Sequence, residues 1–121
     1  MTYSVDPTQS ILLSIRKMMI GDANDSSFDH DLIMHINTVL MILNQLGVGP
    51  KGGFVISDEY ALWSSFVDAN KLPMVKTYVY AKVRSLFDPP TIGSVSQALN
   101  AQIAEMEWRL NVAVDPGEED E

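Results

Sequence analysis

Apolar residues recur at three- and four-residue spacing in five separate stretches of the chain, a pattern typical of amphipathic helices. The longest stripe covers residues 29–46 and ends at Gly47, a residue type that commonly terminates helices. Because this apolar face is broad, we expect the helix to form the centre of the core. Its apolar positions are Leu32, Ile33, Ile36, Val39, Leu40, Leu43 and Leu46.

Capping and turn residues set the expected limits of the other helices. Asp6 is followed by Pro7, a pair typical of a helix start, and Gly21 supplies the end of this first helix. Ser57 is expected to open a short third helix, and Pro73 begins a longer fourth one.

The fourth helix must stop at Asp88, because the two prolines that follow it are incompatible with continued helical geometry. Ser94 is then expected to cap the fifth helix. Residues at near-heptad spacing form the apolar seam of this last helix: Val95, Leu99, Gln102, Met106 and Leu110.

A glycine-rich segment separates the second and third helices. Residues 47–57 contain four glycines and a proline, so we expect a loop in which Phe54, Val55 and Ile56 form a short extended piece. The sequence therefore predicts an all-α fold, a compact bundle of about five helices with one long glycine-rich loop. We expect one domain over residues 1–114, followed by a disordered acidic tail over residues 115–121.

The charge of the chain is concentrated in that tail. The formal net charge of −8 comes from 16 acidic and 8 basic residues, and five of the acids lie in residues 115–121. A nucleic-acid binder needs clustered Lys and Arg, which the sequence lacks. The absence of cysteine excludes disulfides and thiolate metal sites. We expect no membrane contact, because no apolar run approaches the ~20 residues that cross a bilayer.

Motifs that carry chemistry are incomplete. Gly47, Gly49 and Gly52 match the pattern G-x-G-x-x-G, but they follow a helix instead of a strand, which argues against a dinucleotide site. His30 and His35 are five residues apart, so they do not share a helix face as a metal-binding pair would. Calcium loops and hydrolytic triads are also incomplete. We therefore expect no enzymatic activity and no cofactor.

Three segments together resemble a known family. They are SFDHDLIMHINTVLMILNQLGVGP at 27–50, VKTYVYAKVRSLFDPP at 75–90 and IAEMEWRLNV at 103–112. In order and spacing they are similar to the head-tail connector (head completion adaptor) proteins of tailed bacteriophages and prophages. The resemblance implies a structural protein whose copies form a ring, commonly dodecameric, on the portal. That ring would extend the DNA channel and offer a docking surface to tail or stopper proteins, while DNA passes through without specific binding.

The resemblance also implies where the chain acts and which residues contact its partners. It implies assembly in the bacterial host cytoplasm and a final location in the virion. In the family the C-terminal region tends to contact the portal. Here that points to Glu105, Trp108, Arg109, Val112 and Val114. As a candidate loop contact we add Phe54, Val55 and Ile56.

Two other classes of function remain open at this point. A small helical nucleic-acid-binding or regulatory module is the main alternative, and a basic recognition helix would be its distinguishing feature. A small hydrolase or metal enzyme is the third class, and it would need bound zinc or calcium or a complete catalytic set. The sequence displays none of these features.

Overall fold

The computed structural model of the chain describes the backbone of residues 5–113 and the side chains of residues 5–112. Within these residues the regular structure is helical, apart from one isolated backbone bridge. The predicted all-α fold with about five helices is confirmed. The helices are α1 (Ile11–Ile20), α2 (Asp29–Gln45), α3 (Trp63–Phe66), α4 (Leu72–Phe87) and α5 (Gly93–Ala113).

The long helices are arranged around α4, which packs against both α2 and α5, while α1 packs mainly against α2. The ring of Phe87, at the end of α4, lies 5.7 Å from that of Phe28 and 6.3 Å from that of His35. Since both partners lie near the start of α2, α2 and α4 are antiparallel. The Asn111 side-chain amide donates to the Leu46 carbonyl oxygen at 3.3 Å, which places the end of α5 beside the end of α2.

The core lies between α1, α2 and α4. Trp63 and Tyr78 are its largest fully buried side chains. Of the predicted stripe on α2, Ile33 and Leu46 are partly buried at the edge of the core. Each fully buried Leu or Ile contributes about 1.5–3 kcal/mol relative to an exposed one. The fully buried positions of the stripe are Leu32, Ile36, Val39, Leu40 and Leu43.

The start of α1 differs from the prediction. The Asp6 carboxylate accepts hydrogen bonds from the Thr8 amide at 2.9 Å and the Thr8 hydroxyl at 2.8 Å, so Asp6 and Pro7 form a turn outside the helix. The helix begins at Ile11, and Ser10 caps it by accepting from the Leu13 amide. The prediction that Asp6 and Pro7 start the helix is therefore wrong.

Long-range backbone pairing explains this late start and also that of α3. Ser10 forms an antiparallel bridge with Leu62, and its hydroxyl donates to the Glu59 carbonyl oxygen at 2.7 Å. The bridge keeps both segments out of helical geometry up to these positions. The predicted start of the third helix at Ser57 is wrong for the same reason, because α3 begins only at Trp63.

The predicted start and stop of α4 and the predicted start of α5 agree closely with the structure. A proline lies in the first turn of α4, and Asp88 is its C-cap residue, as expected from the two prolines that follow. α5 begins at Gly93, one residue before Ser94, the predicted cap.

An ion pair between buried Arg16 and partly exposed Asp29 joins α1 to α2. The Arg16 side chain is buried, and its guanidinium forms a two-point contact with the Asp29 carboxylate, in which Nε donates to Oδ1 at 2.7 Å. A third nitrogen of Arg16 donates to the Ala23 carbonyl oxygen at 2.8 Å. Asp29 also lies in the first turn of α2, where the helix dipole favours a negative charge. This contact fixes both the loop between the helices and the angle at which they meet.

The glycine-rich loop follows α2 and packs on α3. Gly49 has a φ of +92°, which side chains other than glycine rarely adopt. A Cβ atom built there would lie 2.5 Å from a ring carbon of Phe66, which is itself buried in the core. The spacing of Gly49 within the G-x-G-x-x-G pattern therefore reflects a close approach of backbone to an aromatic ring.

We predict that Asp29→Ala destabilises the protein by about 2–3 kcal/mol, because it leaves the buried Arg16 guanidinium without its carboxylate. Urea unfolding followed by circular dichroism measures the loss. The control is Glu105→Ala, which removes the carboxylate of the exposed Glu105–Arg109 pair and should cost less than about 1 kcal/mol. Equal losses in the two variants would show that the Arg16–Asp29 pair has no special role.

Three single substitutions separate strain from steric overlap in the glycine-rich loop. Gly49→Ala should cost about 2–4 kcal/mol, since it combines an unfavourable φ with a collision against Phe66. Gly53→Ala has a similar φ but open space around it, so we expect only about 1–2 kcal/mol. Gly52→Ala has neither problem and should leave the urea midpoint nearly unchanged. A Gly49 variant as stable as the Gly52 variant would contradict this account.

Candidate assembly surface

The last helix of the bundle is buried along one side only. Ile103 and Leu110 are buried, and Leu99 and Met106 pack partly against the core. Of these, Leu99, Met106 and Leu110 belong to the apolar seam expected from the sequence. In contrast Val95, which was also assigned to that seam, is 46% exposed. Much of the outer surface of α5 therefore faces solvent in the single chain.

Four of the five residues assigned to the portal contact lie together on this open side. Glu105 and Trp108 are each four residues from a partner further along, Arg109 and Val112 respectively, and the two pairs are offset by three residues, which places all four on one face of the helix. Trp108 is 66% exposed and Val112 is 58% exposed. We call this set the α5 face. The fifth residue, Val114, lies outside the described residues.

The α5 face combines apolar and charged groups. Arg109 Nε donates to Glu105 Oε2 at 2.8 Å, so the two charges form an ion pair one helical turn apart. A large exposed indole beside a charged pair is the composition often found at protein interfaces, where Trp and Arg are enriched. The chemistry of this surface is therefore that of protein recognition.

Glu107, which lies beside the α5 face, holds α5 in its orientation against α4. The Tyr78 hydroxyl, on α4, donates to Glu107 Oε2 at 2.7 Å, and Lys82 Nζ lies 3.7 Å from the same oxygen. Burial raises the pKa of Tyr78 well above its usual range, and the hydrogen bond to Glu107 and its negative charge raise it further. Trp108 follows Glu107 about 100° further around the helix, where it is exposed to solvent.

The three candidate loop residues differ in how far they are exposed. Val55 is 74% exposed, whereas Phe54 is half-buried with its ring 5.4 Å from that of Phe66. Ile56 is buried, and both of its backbone polar groups bond to the Asn37 side chain, at 2.8 and 2.9 Å. This part of the loop thus pairs with a helix side chain and forms no strand. Val55 is the member of the set that a partner could touch directly.

Sequence reasoning missed a second apolar surface beside this loop. Met34 and Met41 on α2 are 55% and 56% exposed. Together with Phe54 and Val55 they line a groove of about 630 Å³. The two methionines lie seven residues apart on the outer side of a helix whose inner stripe dominated the sequence pattern. The seven-residue spacing of the two methionines is the sequence signal that could have indicated this surface.

The described residues hold neither a metal-binding cluster nor a helix able to cross a membrane. Among them, no group of three or more His, Asp or Glu side chains is arranged to hold a metal ion. The His30 side chain is exposed, and His35 packs edge-on against Phe87. In the part of the chain that the structure covers, none of the helices combines the length and the apolarity that a membrane crossing requires.

The fold is a small helical bundle with one face of α5 open to solvent. The family model described as "Phage connector protein" matches residues 11–117, which is most of the chain. The chain therefore belongs to the phage connector protein family, whose members are structural proteins of the phage particle. No curated protein and no solved structure matches the chain.

The link between Tyr78 and Glu107 predicts a specific dependence of stability on alkaline pH. Since the pKa of Tyr78 is raised in the folded state, the native protein favours the neutral phenol. Its contribution is complete below about pH 10, the usual pKa of an unfolded tyrosine, and is lost as pH rises above that value. The loss is at most about 1.4 kcal/mol per pH unit.

Urea midpoints measured between about pH 9 and pH 11 test this prediction. The unsubstituted protein should lose stability more steeply than Tyr78→Phe, which lacks the ionisable group. Tyr80, whose pKa burial also raises, is present in both proteins and cancels in the comparison. Parallel curves for the two proteins would exclude the proposed effect of Tyr78.

Proposed function

We propose that this protein is the head-tail connector subunit that forms a ring on the phage portal. In this role the ring extends the DNA channel and provides a docking surface for a tail or stopper protein. The subunit performs no catalysis and uses no cofactor. The observation that carries the proposal is the match to the connector family over residues 11–117.

The open side of α5 supports a portal contact. Glu105, Trp108, Arg109 and Val112 form the α5 face, and a buried indole at the centre of an interface commonly contributes 2 kcal/mol or more. We propose that this face binds the portal and that Val114 extends the contact. An exposed indole on a helix that is buried along one side only is well suited to such a role.

A closed ring needs a second, different surface on each subunit. Neighbours related by rotation contact each other through two unlike patches, because a heterologous interface is what closes a ring. Val55 and the groove beside it belong to α2 and the glycine-rich loop, and they share no residue with the α5 face. We propose that the loop contact at Phe54, Val55 and Ile56 serves this lateral interface, with Val55 as the exposed member.

The charge of the chain is compatible with DNA passing through the ring. The formal net charge is −8, so a ring of many copies is strongly acidic. Repulsion between acidic side chains and phosphates disfavours adhesion of the moving duplex. We propose that DNA passes without specific binding. We further propose that assembly takes place in the host cytoplasm, before the subunit becomes part of the virion.

Electron cryomicroscopy of the protein mixed with its cognate portal protein tests the proposal. The expected image is a ring of helical subunits on the portal, with the same number of copies as the portal, commonly twelve in this family. A protein that neither binds the portal nor forms oligomers at any concentration tried would contradict the proposal. Oligomers that form only on the portal would agree with it.

We predict that Trp108→Ala weakens portal binding by at least about 30-fold, the equivalent of about 2 kcal/mol. Because the indole is exposed, the fold and the urea midpoint of the free subunit should change little. Surface plasmon resonance on immobilised portal measures the affinity. The matched control is Leu86→Ser, another exposed apolar position on a different helix, which should leave the affinity unchanged.

A Trp108→Ala variant that binds the portal as tightly as the unsubstituted protein would remove the α5 face from the interface. Equal weakening by Leu86→Ser would show that the effect is not specific to this face.

A further inference from the structure

A groove between α1 and α4 has no role in the proposed contacts. It consists of two adjoining hollows of about 480 and 650 Å³ that share the side chain of Tyr80. Met18 and Met19 from α1 and Ala81 from α4 supply apolar surface. We call this surface the α1/α4 groove.

Three cationic side chains line the α1/α4 groove: Lys17, Lys76 and Arg84. Lys17 Nζ donates to the Gly21 carbonyl oxygen and Lys76 Nζ to that of Thr8, both at 3.3 Å. These carbonyl groups are neutral, so the two lysines keep their charge unbalanced.

Ion pairing distinguishes these cations from others in the protein. Within residues 5–112, salt bridges with carboxylates are formed by Arg16, Lys82 and Arg109, and not by the three cations of the groove. Two acids, Asp22 and Asp88, also line the α1/α4 groove, which leaves its lining with one net positive charge. The chain as a whole carries −8, so the groove differs in sign from the average surface.

The chain itself contains a segment of complementary charge. Residues 115–121 carry five carboxylates among seven residues. The end of α5 lies beside the end of α2, and α2 is antiparallel to α4, so α5 ends near the beginning of α4. Lys76 lies in the first half of α4, at this same end of the bundle.

The length of the segment is sufficient for it to reach the groove. Residues 114–121 span at most about 26 Å when extended at 3.3 Å per residue. A helix with its side chains is about 10–12 Å wide. The segment can therefore cross α4 from the side of α5 to the side of α1 and still place several carboxylates along the cations.

We propose that residues 115–121 bind in the α1/α4 groove of their own subunit. The carboxylates lie against Lys17, Lys76 and Arg84, and the segment covers the methionine surface between them. The contact belongs to the free subunit and is independent of the ring and the portal.

A spin label on the tail tests this proposal in the full chain. The protein has no cysteine, so Gly117→Cys gives a single labelling site and keeps all five carboxylates of the tail. In a ¹⁵N-labelled sample we expect loss of amide signal intensity at Thr77, Ala81 and Arg84, with recovery after reduction of the nitroxide. The loss should shrink at about 0.5 M salt, where screening acts over roughly 4 Å. No loss of intensity at these amides would overturn the proposal.

Mixed samples distinguish the subunit's own tail from that of a second copy. Spin-labelled chains without ¹⁵N are mixed with ¹⁵N-labelled chains that carry no spin label, at the same total concentration. We expect no intensity loss in this mixture. A loss as large as in the doubly labelled chain would mean that the tail binds another copy, which contradicts the proposal.

Charge reversal tests the contact residues. Lys17→Glu combined with Arg84→Glu should abolish the intensity loss, whereas Lys51→Glu combined with Lys71→Glu, on exposed positions elsewhere, should preserve it. The amide spectrum of each variant reports whether it is folded. If a variant does not fold, the salt titration of the spin-labelled chain with an unsubstituted groove still tests the contact independently. An intensity loss that survives the groove substitutions and high salt would overturn the electrostatic contact.

Discussion

The contact between Arg16 and Asp29 is the interaction on which the arrangement of the helices depends. Arg16 is the one charged side chain that is buried among the described residues, and burial of a cation is costly unless a carboxylate balances it. Asp29 provides that balance from the first turn of α2. The pair sets how α1 meets α2, and the two helices together form the surface on which α4 packs. α5 then rests on α4, so its position follows from the earlier contacts.

This order of packing explains why α5 offers a surface for assembly. α5 is the longest helix of the described chain, yet Ile103 and Leu110 are its only buried apolar side chains there. The bond between Tyr78 and Glu107 fixes which side of the helix faces α4. Trp108 faces solvent from within this regular helix, and a side chain on regular secondary structure loses less entropy on binding than one on a loop. A subunit that must hold neighbouring proteins gains from this arrangement, because its partner surface exists before the partner arrives.

The sequence predicts well those features that depend on local periodicity. The stripe on α2, the proline start of α4 and its stop at Asp88 are all visible in short segments. The candidate residues from Glu105 to Val112 were indicated by the resemblance to the connector family and not by local periodicity. Features that depend on distant pairing were missed. Ser10 pairs with Leu62 far along the chain, and this bridge delays the start of both α1 and α3.

The same limit applies to the polar contacts of the site. In the sequence, Glu107 is indistinguishable from the other charged residues of a helix surface. Its hydrogen bond with Tyr78 arises only when the chain folds. Likewise, the sequence predicts that Phe54, Val55 and Ile56 form one apolar patch. In the structure, hydrogen bonds with the Asn37 side chain hold Ile56 in the core, whereas Val55 is exposed. Burial of single residues within a loop is decided by such long-range bonds, and no local pattern encodes it.

Hydroxyl-radical footprinting of the two tryptophans tests the central claim most directly. Trp63 is fully buried, whereas Trp108 is 66% exposed. In the free subunit, Trp108 should be oxidised rapidly and Trp63 slowly; on assembly with the portal, Trp108 should become protected while Trp63 is unchanged. Rapid oxidation of Trp63 in the free subunit, or unchanged oxidation of Trp108 in the assembled complex, would contradict a bundle that buries its core and reserves the α5 face for a partner.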